Sequence, residues 1–348
     1  MKKIAIEEHY HSKWYIDYLR SRKEYPRREI VEEDGRKVER DWWSPTSFRV
    51  MDPDKPNQDR ISDLGEGRLR VMDEAGIDMK VLSLSFPGVE LFDPEDGCTA
   101  ARQVNDELSE VIARYPDRFS GFATIAPQAP QRAAEELERA INTLGLKGAM
   151  INGNVRGEFL DQKKFWPIFE RAEKLDIPIY IHAKMPPPEM LQPYLAYPGL
   201  ASAMSGFAAE ASLHAMRLIC SGVFDTYPGL KIILGHLGEA IPFWLWRIDS
   251  RFAEEKQSDP ISAAFYKDLK KDPSQYFKDN FYVTTSGMFW DPVLAFVCSV
   301  LGADKVLFAT DYPYESSREA VAFIDASSLN QDDKEAVCFR NAEKLFGL

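Results

Sequence analysis

Glu7 and His9 stand two residues apart in the opening segment Ile4-Ala-Ile-Glu-Glu-His-Tyr10. In an extended chain that spacing sends both side chains to one face, with Glu8 and Tyr10 on the other. His182 closes the apolar run Pro178-Ile-Tyr-Ile-His182, and Asp311 closes Lys305-Val-Leu-Phe-Ala-Thr-Asp311. Two imidazoles and two carboxylates form a nitrogen–oxygen ligand set that suits one divalent ion such as Zn²⁺, Mn²⁺ or Fe²⁺. A second constellation is Gly235-His-Leu-Gly-Glu239, where a turn through Gly238 brings Glu239 back to His236. A carboxylate on one ring nitrogen fixes the tautomer and raises the basicity of the other, which prepares His236 as a proton shuttle or a donor to substrate. The plainer reading of Glu239 is an acid favoured at a helix start.

Other polar residues carry weaker signals. His9-Tyr-His11 is also a same-face pair, but His11 lies further from the strand and reads as a rim residue. His214, in Ala211-Ser-Leu-His-Ala-Met216, reads as a packed or surface histidine on a helix. Arg247 suits a substrate carboxylate or phenolate, or a structural pair with Asp249 or Glu239. Asn152 ends a strand and either donates to substrate or satisfies a turn. Lys147 lies at the start of that strand rather than its end, so no bridging lysine is placed for a second metal and a single ion is expected.

Eight short apolar runs must position these groups: 3–7, 80–85, 120–126, 147–152, 178–182, 231–236, 281–286 and 305–311. Helical spacing marks 105–114, 133–144, 165–175 and 291–301 between them. Alternating strands and helices imply a parallel sheet, and eight strands close a (β/α)₈ TIM barrel. The rival, a doubly wound open sheet, lacks a Gly-x-Gly-x-x-Gly after the first strand. In a barrel the chemistry sits at the carboxyl ends of the strands. Three of the five histidines fall there, with Glu7, Asn152 and Asp311. The chain reads as one barrel domain over 1–348, interrupted at about 20–60 by a charged insertion. Asp34-Gly35 is a hairpin signal within it, and Trp42, Trp43 and Phe48 follow. The insertion is either a lid or subunit contact at the barrel mouth or a solvated excursion pinned by its tryptophans.

The 348 residues carry 43 Lys+Arg against 55 Asp+Glu, a net charge of −12. That balance speaks against a nucleic-acid or anionic-membrane surface but leaves room for a small anionic substrate held by one cation. Cys98, Cys220, Cys298 and Cys338 are dispersed, with no Cys-x-x-Cys, as expected of reduced thiols in a cytoplasmic protein. The amino terminus does not read as a signal peptide, and no apolar run approaches the roughly 18 residues of a membrane span.

Five ordered motifs carry a resemblance: Ile4-Ala-Ile-Glu-Glu-His-Tyr10, Tyr115-Pro-Asp-Arg-Phe119, Tyr180-Ile-His182, Gly235-His-Leu-Gly-Glu239 and Thr310-Asp-Tyr-Pro313. Together they resemble the metal-dependent hydroxybenzoate decarboxylases of the amidohydrolase superfamily, over almost the whole chain outside residues 20–60. The resemblance implies one Mn²⁺ or Zn²⁺ held by Glu7, His9, His182 and Asp311. It implies a substrate site lined by His236, Glu239, Arg247 and Asn152, and a homodimer or homotetramer. Glu7 stands where hydrolytic members of the superfamily usually carry the first histidine of His-x-His, which tilts the expectation toward decarboxylation. The expected reaction is loss of CO₂ from a small hydroxylated aromatic acid, with Asp311 as proton donor. Metal-dependent hydrolysis of an amide or lactone is the alternative, and a non-catalytic binding protein on the same barrel is a third.

Overall fold

The computed structural model describes residues 1–33, 35–45, 47–51, 58–197 and 199–348. Its strands in chain order are β1 (Ile4–Tyr10), β2 (Arg27–Glu33), β3 (Arg36–Ser44), β4 (Ser47–Met51), β5 (Met79–Leu84) and β6 (Phe119–Gly121). They continue as β7 (Ala123–Thr124), β8 (Ala149–Asn152), β9 (Pro178–His182), β10 (Lys231–Leu234), β11 (Phe281–Thr284) and β12 (Val306–Leu307). Strands β1, β5 and β6 pair in parallel, and β7 to β12 pair in parallel in chain order.

The two sheets are one ring. Phe122 donates its N–H to Leu82 O at 2.9 Å, and the next residue, Ala123, donates to Gly148 O at 2.8 Å. The third strand of the barrel therefore hands over from one neighbour to the other. On the far side Ile6 N reaches Phe308 O at 3.1 Å, Asp311 N reaches Glu7 O at 3.0 Å and His9 N reaches Tyr312 O at 2.8 Å. These bonds join the first strand to the last, as a (β/α)₈ barrel requires. Ile4, Ile6, Val81, Phe122, Met150, Tyr180, Ile233 and Leu307 cluster in the interior. A larger apolar layer, which includes Ala5, Leu82 and Ile232, packs strands against helices.

Strand β1 carries a bulge. Ala5 pairs with Lys80, but Glu8 pairs with Leu82, so β1 holds one residue more than its neighbour there. Ile4 and Ile6 face the interior on one side of the bulge, and Glu7 and His9 face it on the other. Glu8 turns outward into a satisfied site. Its Oε1 accepts from Thr310 N at 3.0 Å and Thr310 Oγ1 at 2.7 Å, and its Oε2 lies 2.5 Å from Lys80 Nζ. Lys80 also donates to Ser317 Oγ at 3.2 Å and sits 3.9 Å from the Tyr312 ring centre.

The strand and helix expectations hold in place and order, with shorter ends at the third, sixth, seventh and eighth strands. Helix Gly206–Ser221 carries the helical pattern around His214, while Lys13–Ser21 and Ile241–Ser258 are among the helices additional to those expected. The insertion is a three-stranded antiparallel sheet in the order β2-β3-β4. Its first hairpin pairs Glu33 with Arg36, with Gly35 at φ +75°, while Asp34 of the expected turn lies outside the described residues. Among the described residues no helix is long and apolar enough to cross a membrane.

Candidate metal centre

Glu7 and His9 from β1, His182 from the end of β9 and Asp311 beyond β12 meet at the carboxyl end of the barrel. One ligand atom from each lies within 4.8 Å of the others. His9 Nε2 is 3.1 Å from Asp311 Oδ1 and 3.9 Å from Glu7 Oε1, and His182 Nε2 is 3.4 Å from Glu7 Oε1. Asp311 reaches this point through a left-handed backbone, φ +59°, rather than as a strand residue.

The unused atoms test whether a cation fits. Glu7 Oε1, His9 Nε2 and Asp311 Oδ1 are buried without a hydrogen-bond partner. Buried polar atoms are costly to leave unpaired, and here they converge on one point. A divalent ion matches two carboxylate oxygens and two imidazole nitrogens so arranged. The neighbouring atoms hold the set in that pose. Glu7 Oε2 accepts from Tyr180 OH and, at 3.1 Å, from Thr284 Oγ1, which leaves Oε1 for the centre. A Cβ at Gly235 would stand 3.3 Å from Glu7 Oε2 and 3.2 Å from Tyr180 OH, so any side chain there would press on this pair. Burial opposes charge on Glu7, but His182, His236 and His9 outweigh it and hold its carboxyl well below the usual range. Asp311 is likewise held down against burial by the neighbouring imidazoles of His236 and His9.

His236 stands beside the ligands, with Nδ1 2.7 Å from Glu239 Oε1 and Nε2 3.8 Å from Asp311 Oδ2. The turn that makes this pair is a run of positive φ: His236 +50°, Leu237 +54°, Gly238 +85°, Glu239 +53° and Ala240 +62°. Non-glycine residues in this region cost roughly 1–3 kcal/mol each, and such strain clusters at functional sites. Burial disfavours the imidazolium, but Glu239 and Asp311 more than offset that and push the His236 pKa well up. The two carboxylates thus favour the charged form of His236, and the imidazole in turn favours the ionised form of Asp311.

The remaining sequence candidates fall elsewhere. Asn152 ends β8 as expected, but Glu90 occupies it. Its N–H donates to Glu90 Oε1 at 2.6 Å, and its amide nitrogen shares Leu84 O and Glu90 Oε1, each at 3.4 Å. Arg247 is exposed on the helix Ile241–Ser258 and lines a cavity of about 750 Å³ that also borders Glu239 and Trp244. It pairs with neither Asp249 nor Glu239 among the described residues. His11 is fully buried, not at the rim. Its Nε2 lies 3.2 Å from Phe86 O and its Nδ1 3.4 Å from Arg28 of the inserted sheet. His214 is packed, accepting from Leu160 N at 3.0 Å.

Two residues the sequence did not single out sit over the centre. The Tyr314 ring is 5.5 Å from the His9 ring, and its hydroxyl is 2.7 Å from Ser85 Oγ. Arg49 of β4 donates to that hydroxyl at 2.9 Å, while its Nε and Nη2 are buried without hydrogen-bond partners. Asp41, 3.7 Å from Arg49, is already held by both Nε and Nη2 of Arg28, at 2.5 and 2.8 Å. The inserted sheet therefore delivers a guanidinium with spare donors to the mouth of the barrel.

The model of the amidohydrolase family matches residues 15–348. The chain belongs to the amidohydrolase family. It is 38% identical over 307 residues to γ-resorcylate decarboxylase of Polaromonas sp. (strain JS666), covering 86% of this chain and 92% of that protein. The structure of 5-carboxyvanillate decarboxylase from Sphingomonas paucimobilis superposes with a TM-score of 0.87 at 36% identity, covering 100% of this chain and 99% of that one. The dihydroxybenzoic acid decarboxylase of Polaromonas sp. JS666, with bound manganese and the inhibitor 2-nitroresorcinol, superposes at 0.84 and 35% identity, covering 100% and 97%. Within the amidohydrolase superfamily the chain is thus a metal-dependent decarboxylase of the hydroxybenzoate type, and the hydrolase alternative has no comparable support.

Proposed function

We propose that this carboxy-lyase removes CO₂ non-oxidatively from a hydroxylated aromatic acid at the centre formed by Glu7, His9, His182 and Asp311. The convergence of their unpaired buried atoms within 4.8 Å carries the reading. A divalent ion held there would supply Lewis-acid polarisation of the bound substrate. The manganese in the Polaromonas structure supports Mn²⁺ over Zn²⁺.

The protein's own part is proton delivery. Asp311 Oδ2 faces the His236 imidazolium at 3.8 Å. Asp311 passes that proton to the ring carbon bearing the carboxylate, and the ortho-hydroxyl supplies the electron density that makes this carbon basic. The carbon becomes tetrahedral. The bond to the carboxylate then breaks, its electron pair returns to the ring, and CO₂ leaves. Glu239 holds the imidazole at Nδ1, so only Nε2 faces the exchange. Arg49 binds a second anionic group on the ring, which makes substrates with such a group the favoured class.

Several finer points belong to the same proposal. The chain works as one unit over 1–348, inserted sheet included. Phe243, Trp244 and Trp246 are 71%, 48% and 81% exposed on one helix beside Arg247, which supports a homodimer through this face. The free thiols Cys98, Cys220, Cys298 and Cys338 fit a cytoplasmic setting. The deciding experiment is a panel of hydroxybenzoates given to enzyme stripped of metal and reloaded with Mn²⁺ or Zn²⁺. CO₂ release with loss of the substrate's ultraviolet band is the expected result. Acid release from an amide or lactone without CO₂ overturns it.

A further inference from the structure

A cavity of about 320 Å³ opens between the inserted sheet and the loop after β9. Its walls include Trp43, Phe86, Met185 and Pro187, and its charged lining is two cations, Lys184 and Arg156, against one carboxylate, Glu189. It adjoins the metal centre along two strands. Phe86 follows Ser85, which holds Tyr314 against His9, and Lys184 stands two residues beyond His182.

Three donors in this lining are underused. Lys184 is 4% exposed, and the carbonyl of Asn154 is its only hydrogen-bond acceptor among the described residues. Glu90 and Glu210 bear on it electrostatically, but neither lies within ion-pair distance. An amine so placed retains N–H groups for an incoming anion. Trp43 Nε1 is buried without a partner. Arg156 is exposed in a left-handed turn, φ +53°, that Asn154 Oδ1 ties down from Gly157 N at 3.1 Å, and it makes no ion pair among the described residues. Aromatic and proline walls around two cations match a planar anion with an apolar ring.

We propose that this cavity is a second binding site for the aromatic acid, an antechamber in which Arg156 and Lys184 capture the carboxylate before the ring moves to the metal. The proposal rests on the decarboxylase reading for its ligand class, but not on the metal. The antechamber raises the capture rate by placing positive charge at the mouth of a chain with net charge −12.

The test is calorimetric titration of metal-free enzyme with benzoate and 4-hydroxybenzoate, which lack the ortho-hydroxyl. Saturable binding is expected, weakened about tenfold by Arg156→Gln and by Leu191→Trp, which fills the cavity from its rim. In metal-loaded enzyme both variants should lower kcat/KM about tenfold at low salt, leave kcat intact and flatten its salt dependence. Binding to metal-free enzyme that neither variant alters overturns the antechamber, as does unchanged kcat/KM in both. If the cavity binds these acids but no hydroxybenzoate loses CO₂, the decarboxylase reading fails and the binding site stands.

Discussion

The two faces of β1 are built from the same residue types and do opposite work. On the outer face Glu8 is matched by Lys80 and Thr310, and every charge has a counterpart. On the inner face Glu7, His9 and their partners crowd together with oxygen and nitrogen atoms left bare. Burial is complete in both places: Glu7, Glu8, His9 and Lys80 are all 0% exposed. Burial of charge therefore does not distinguish a structural cluster from a working one. Completeness of pairing does.

Substitutions on the two faces should fail in different ways. Asp311→Asn is expected to lower turnover by about 10³-fold or more, within the span of lost proton transfer, and to reduce bound metal. CO₂ release together with metal analysis checks this, and near-full turnover would remove Asp311 as proton donor. Glu8→Gln should do the converse. Metal content and kcat per folded molecule stay near the parent's, while unfolding in denaturant shows a loss of about 3–5 kcal/mol from the stranded Lys80. Equal metal loss in both variants would erase the contrast. Glu239→Gln should lower kcat about 10–100-fold with metal content unchanged, since it acts on the imidazole alone. Arg49→Met is the mildest: KM rises about tenfold for a ring with a second anionic group, kcat holds, and a mono-acid is unaffected. A matching loss on the mono-acid would assign Arg49 to stability instead.

The cluster of Glu7, His9, His182 and Asp311 was legible because strand ends can be found from apolar runs, and the barrel brings strand ends together. The His236–Glu239 pair was legible from its glycine, but not the left-handed run that makes it, because four of its five residues carry side chains that disfavour that conformation. The partner of Asn152 was hidden for a related reason. The place of Asn152 at the end of β8 was right, but Glu90, 62 residues away, takes its donors. Arg49 meets Tyr314 across 265 residues, a pairing that no periodicity encodes. His11 looked peripheral because it lies further from the strand than His9. In fact Arg28 and Asp41 of the inserted sheet fold back and bury the imidazole.

The extra residue in β1 is what lets Ile6 and Glu7, adjacent in the chain, both turn inward. With one position removed between Ala5 and Glu8 and the ladder to β5 kept, Glu8 would still stand opposite Leu82 and His9 opposite Ser83. The strand would then have one inward place where it now has two, and either the apolar plug or the carboxylate would go. A lineage that dropped Glu7 in this way would keep a sound cylinder and forfeit one arm of its chemistry in a single step.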